Sequence, residues 1–206
     1  SPVWSAAPSG VLITTADGEE ALDFGQAGAM GEGWSDWYAL DFAEREGLIA
    51  DDPDVIGDVN AGADVDSTSD FNPGGHLART QGIDCPVGAG SPNPRTRCPG
   101  GFATGAGGYT YGDYAKVQPF PEPHADGEIW GETLWDLRRA LIEHTGSHDA
   151  GARLAEQLVT EGLRLTPPEP TMLEARDAIL AADRALQLGL QDVLWPVFAR
   201  RGMGFY

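Results

Sequence analysis

The sequence predicts a mainly α-helical protein whose helices are joined by long irregular loops rich in glycine, proline and aspartate. Three observations predict it. Residues 26–46 form an apolar stretch of helical character, with Met30, Trp34, Trp37, Tyr38, Leu40 and Phe42 leaving little polar face. After residue 121, apolar side chains recur at helical spacing: Trp130, Leu134, Leu137 and Leu141 are separated by four, three and four positions. Between these regions Phe71 to Pro121 has almost no periodicity, which suits a long functional loop.

Taken in order, residues 1–25 are a segment of unclear origin, readable as the tail of a preceding or inserted module. Val11-Leu-Ile-Thr-Thr15 is a β-branched run between Ser-Gly and Ala-Asp-Gly, so one strand ending in a turn is expected there. Residues 26–206 form the main lobe. Its first helix runs from about Gln26 to Glu46 and stops at Gly47, a suitable C-cap. From Asp41 to Asp70 there are ten acids and one base, Arg45; Asp51-Asp-Pro-Asp54 and Asp64–Asp70 carry oxygens of the kind calcium takes, without the EF-hand pattern. The loop that follows carries Arg95, Arg97 and the tyrosines Tyr109, Tyr111 and Tyr114. They suit either binding of a peptide or packing of the loop onto the lobe.

The remaining helices follow from local signals. The Trp130–Leu141 stripe ends near Gly146, so His144-Thr-Gly-Ser-His148 reads as a loop. Leu154, Leu158 and Leu165 mark the next helix, closed by Pro167-Pro168. Thr171-Met-Leu-Glu174 has the capping-box form and opens a helix whose buried face is Met172, Ala175, Ile179, Ala182 and Leu186. A last helix starts near Asp192, so Pro196 lies close to its first turn or kinks it.

A chain of 206 residues suffices for one domain, or one lobe of a larger one, with a core. Its net charge of −19 opposes a nucleic-acid partner, because phosphate binding needs clustered lysine and arginine. No apolar run is long enough for a membrane span. No charged-then-apolar leader is legible at Ser1, as in a mature exported protein. Cys85 and Cys98 are the only cysteines and lack partners for a metal set, so a disulfide and an extracellular address are expected.

One feature of the first helix is physically awkward. Glu32 and Asp36 lie four residues apart, on one side of an otherwise apolar helix. Burying either acid unpaired costs several kcal/mol or forces it to protonate. A cation facing them would remove the conflict. Either a metal ion does so, with Glu32 as ligand and Asp36 holding a ligand imidazole, or the pair meets solvent or an arginine.

Gly28-Ala-Met-Gly-Glu-Gly-Trp-Ser-Asp-Trp-Tyr-Ala39 resembles the helix of fungalysin-type zinc metallopeptidases that supplies the third zinc ligand. Asp84-Cys-Pro-Val-Gly88, Gly108-Tyr-Thr-Tyr-Gly-Asp113, His124-Ala-Asp-Gly-Glu-Ile-Trp130 and Val197-Phe-Ala-Arg-Arg-Gly-Met-Gly204 resemble bacterial members of that family, in the same order. The resemblance implies the C-terminal helical lobe of a thermolysin-like zincin acting on peptides. It assigns Glu32 to zinc, Asp36 to the support of a ligand histidine, and His124 to the oxyanion of the tetrahedral intermediate. Glu122 or Asp126 would then support His124, and Glu128 matches the family segment without an assigned role.

The same family carries His-Glu-x-x-His on one helix, giving two imidazole ligands and a general base. That motif is absent from the four histidines here, His76, His124, His144 and His148. Zinc would therefore be shared with histidines on an upstream lobe, on the same or another chain, and these 206 residues alone are expected to be inactive. The rival readings are a peptidase-derived binding or structural module and an acidic calcium-binding module.

Overall fold

The structure is a computed structural model that describes residues 3–7, 10–14, 24–51, 57–59, 79–88 and 98–205. Two short strands, β1 (Val3–Ala7) and β2 (Gly10–Thr14), pair antiparallel with Val3 opposite Thr14 and Ala7 opposite Gly10. The strand expected at Val11–Thr15 is thus the second arm of a hairpin. The rest is helical: α1 (Phe24–Arg45), α2 (Pro123–Thr145), α3 (His148–Leu165), α4 (Met172–Leu186) and α5 (Gln191–Arg200), with one 3-10 turn at Tyr111–Asp113. The mainly α reading holds. The acidic run Asp64–Asp70, His76, Arg95 and Arg97 lie outside the described residues.

Local chemistry sets the helix ends where the sequence places them. Gly47 and Gly146 take the left-handed conformation, φ 70° and 65°, that a side chain with a Cβ resists. Ser147 then caps α3 by accepting from the Ala150 N–H, so the loop expected over His144–His148 narrows to Gly146-Ser147, with His144 in α2 and His148 opening α3. Thr171 and Glu174 form the reciprocal capping box of α4. Pro196 sits inside α5 without ending it.

The core is built on α2, which packs against α1, α3 and α5. Trp37, Trp130, Trp135, Leu134, Leu137, Leu141, Leu158, Ile179 and Phe198 are fully buried or nearly so. The α1–α2 crossing is close because both helices present glycine there. A Cβ on Gly33 would meet the Gly127 carbonyl at 2.5 Å, and one on Gly127 would meet the Ala29 carbonyl at 2.6 Å. This approach puts residues just after the start of α2 beside Glu32.

Two fully buried arginines tie the lobe together. Arg138 donates from Nε to Asp41 at 2.7 Å and from Nη2 to Glu44 at 2.5 Å. Arg201, past the end of α5, donates to Glu132 at 2.6 Å, Asp136 at 2.7 Å and the carbonyls of Tyr109 and Cys85, each at 2.8 Å. Such groups are retained in a core only when paired and hydrogen-bonded.

Candidate active site

Glu32 and Asp36 share one face of α1, as their spacing requires, and that face meets the N-terminal end of α2. His124 is the second residue of α2; its Nε2 lies 3.7 Å from Glu32 Oε2. Its other nitrogen, Nδ1, lies 2.5 Å from Glu122 Oε1. Glu122 is also the N-cap of α2, accepting from the Ala125 N–H at 2.8 Å with its second oxygen. Burial pushes the Glu122 carboxyl up. The hydrogen bonds from His124 and Ala125 and the attraction of the His124 ring outweigh this and hold it below its ordinary range. Asp126, the other candidate partner, instead accepts from the backbone N–H groups of Ala115 and Glu122.

Arg79 occupies the position facing the two acids. Its Nη2 donates to Glu32 Oε2 and to Asp36 Oδ1, both at 3.0 Å, and its Nε donates to Asp36 Oδ2. Its side chain is 8% exposed, against 18% for Asp36 and 37% for Glu32. Arg79 went unnoticed in the sequence reading. The signal was there: no lysine or arginine separates it from Arg45, across the most acidic part of the chain.

Behind Arg79, α2 presents two more buried acids, one and two turns past His124. Glu128 takes both its hydrogen bonds from Thr80, one from the backbone N–H and one from the hydroxyl at 2.6 Å. Burial pushes its carboxyl up to about 8, against the Thr80 hydrogen bonds and the Arg79 charge. Glu132 accepts from Gln81 Nε2, the Tyr109 N–H and Arg201 Nη1, each at 2.6 Å. A cavity of about 10 Å³ lies between Asp36, Arg79, Glu128 and Glu132. Tyr109 is fully buried, so this member of the tyrosine cluster packs the loop, and burial raises its phenol well above the ordinary value.

Cys85 and Cys98 form the expected disulfide, with Cα atoms 5.7 Å apart. It closes the loop that continues into Tyr109. Nearby, Asp51, Asp58 and Asp84 bring one carboxylate oxygen each within 4.8 Å of one another. Arg139 pairs with Asp51 and lies 3.7 Å from Asp84, and Asp84 also accepts from the N–H groups of Gly57 and Val59.

A protein zinc site needs three or four ligands. Among the described residues no third donor joins Glu32 and His124. Glu32 itself is a partly exposed carboxylate whose Oε2 faces a guanidinium and an imidazole. A carboxylate oxygen is a donor that zinc takes, so Glu32 could give one ligand to a site whose other ligands these residues do not supply.

The profile of the fungalysin metallopeptidase family (M36) matches residues 107–206. Extracellular metalloproteinase 3 of Trichophyton tonsurans is 32% identical over 193 residues, covering 87% of this chain and 26% of the relative. Extracellular metalloproteinase 10 of Coccidioides posadasii (strain C735) is 30% identical over 201 residues, covering 91% of this chain and 27% of the relative. Extracellular metalloproteinase 3 of Trichophyton rubrum reaches 39% identity over 105 residues, or 45% of this chain and 17% of the relative. At 87% and 91% of the chain, the first two matches are long enough that each includes Glu32. The chain belongs to the fungalysin family of metallopeptidases and spans about a quarter of the length of the relatives it matches along most of its own.

Proposed function

We propose that the chain is the C-terminal part of the catalytic domain of a secreted zinc endopeptidase, with residues 26–206 as its helical lobe and residues 1–25 as a separate segment. The observation that carries this is the convergence of Glu32, Asp36 and His124 at one helix crossing, with His124 Nε2 3.7 Å from Glu32. Glu32 would be this chain's ligand to zinc, completed by two histidines and a general-base glutamate from upstream sequence or a second chain. When bound, zinc polarises a water molecule and the peptide carbonyl.

The chain's own residues have separable tasks in this reading. Asp36, one turn beyond Glu32, orients a ligand imidazole and raises its basicity. Glu122 fixes the His124 ring at Nδ1. When the ring carries a proton at Nε2, that N–H donates to the oxygen on which negative charge develops as the peptide bond is attacked. The disulfide and the extracellular relatives support secretion, and the substrate class is peptides and proteins.

Arg79 favours a second reading. Because its guanidinium alone satisfies both Glu32 and Asp36, the lobe needs no metal to be stable, as in a peptidase-derived binding or structural module. Metal analysis of the protein joined to its histidine-bearing part separates the two. One zinc per molecule, lost in Glu32→Gln together with chelator-sensitive casein hydrolysis, supports the enzyme. Wild-type zinc content in Glu32→Gln refutes the assignment of this helix to the metal. The isolated 206 residues are expected to hydrolyse nothing.

A further inference from the structure

We infer that Glu128 is a positioning residue for this site: by holding Thr80, it sets Arg79 onto Glu32 and Asp36. This concerns the same site as the peptidase reading and rests on it only for what the site does; the geometry stands without it.

Glu128 lies one turn beyond His124 on α2 and is 5% exposed, yet it makes no ion pair shorter than 4 Å among the described residues. Both its oxygens are used on one residue of the facing segment. One accepts the Thr80 N–H and the other the Thr80 hydroxyl at 2.6 Å. With Glu128 ionised, that hydroxyl spends its proton on the carboxylate and the Tyr109 hydroxyl 2.5 Å away donates into it, giving a chain from Tyr109 through Thr80 to Glu128. The next residue, Gln81, is held as firmly: its amide donates to Glu132 at 2.6 Å and to the Gly107 carbonyl at 3.1 Å, and accepts from the Gly100 N–H at 3.2 Å.

Residues 79–81 belong to no helix or strand, so these side-chain bonds replace the backbone ladder that would otherwise fix their path. With Thr80 and Gln81 pinned to α2, the side chain of Arg79 is directed across to α1. A freely moving arginine would lose rotamer entropy on pairing with Glu32 and Asp36, and an anchored backbone reduces that loss. The helix that carries His124 thereby also governs how much positive charge stands beside Glu32. In the peptidase reading this is the charge that opposes, and so tunes, cation binding at Glu32.

If Glu128 were only a buried anchor, its loss would lower stability but leave Arg79 on its own ion pairs. The two cases differ in the behaviour of the Arg79 Nε–H, which donates to Asp36. In 15N-labelled protein of the full 206-residue chain, that signal is identified as the one missing in Arg79→Lys, and its exchange with water is measured. Folding of each variant is checked by far-UV circular dichroism and by dispersion of the amide spectrum.

Glu128→Ala is expected to speed Nε–H exchange by about tenfold or more while the chain stays folded. Glu128→Gln, which keeps an acceptor for the Thr80 N–H and offers a donor to its hydroxyl, is expected to restore slow exchange. Thr80→Val, which removes only the hydroxyl link, should fall between. Wild-type exchange in folded Glu128→Ala overturns the inference. Should that variant fail to fold, Thr80→Val decides: faster exchange supports the inference and unchanged exchange overturns it. None of these readouts involves zinc, so failure of the peptidase reading is recognised separately, by metal analysis of Glu32→Gln.

Discussion

Arg79 lays one edge of its guanidinium along Asp36, with Nε–H on one carboxylate oxygen and Nη2–H 3.0 Å from the other. The same Nη2 reaches Glu32 at 3.0 Å, so a single planar cation answers two acids set one turn apart. Without it the acids repel across a helix face that is only partly open to water. Arg79→Gln is therefore expected to destabilise the chain by about 2 kcal/mol, discounted from a fully buried pair because Glu32 is more than a third exposed. Urea denaturation measures it. Adding Asp36→Asn should recover part of the loss, and an unshifted midpoint in Arg79→Gln would show that solvent already satisfies the acids.

His124 and Glu122 are separable by kinetics. In the complete peptidase, His124→Ala should lower kcat by about 10²–10³ with zinc content unchanged, since the bond is made chiefly in the transition state. Glu122→Ala should lower kcat less, and should also cost about 1 kcal/mol of stability because the α2 N-cap goes with it. Steady-state kinetics and thermal melts on the same samples decide. A wild-type kcat in His124→Ala removes that residue from the catalytic set.

Glu128 predicts a pH dependence of stability. Its carboxyl is pushed up to about 8 in the folded chain, mainly by burial, so between its ordinary value and 8 the folded state holds a proton that the unfolded state has released. Its contribution is fully present below pH 4.5 and is lost as pH rises towards 8. Arg79 facing it opposes this shift, and Asp36 adds to it. The melting temperature should fall across pH 5–8, and Glu128→Gln should flatten that fall. An equal slope in the variant assigns the fall to other groups.

The Cys85–Cys98 bond should contribute roughly 2–3 kcal/mol, the magnitude expected for a loop of this size. Reduction is expected to lower the melting temperature by several degrees and to loosen the 79–81 segment, which shares the loop's contacts through Gln81 and Gly100. Thiol titration of the unreduced, unfolded chain should find no free cysteine. Two titratable thiols there would exclude the bond.

The sequence by itself determined the helical lobe, most helix ends and the face shared by Glu32 and Asp36. Those signals act within about four residues: a left-handed Gly47 or Gly146, a Thr171–Glu174 capping box, an apolar stripe with the helical period, two acids at i and i+4. It also pointed to a cation opposite the acids, because two like charges one turn apart on an apolar helix repel. Which cation faces them was decided by tertiary structure. Arg79 lies 47 positions from Glu32, Thr80 lies 48 from Glu128, and Arg201 lies 69 from Glu132. A residue type and a spacing carry no information about such pairs. They form only once Gly33 and Gly127 let α1 and α2 approach, and once the loop between them is folded back onto α2. In that buried setting a carboxylate takes whatever donor the fold brings within hydrogen-bonding distance. That is why Glu128, which had no role in the sequence, acquires one as the anchor of the loop that carries Arg79.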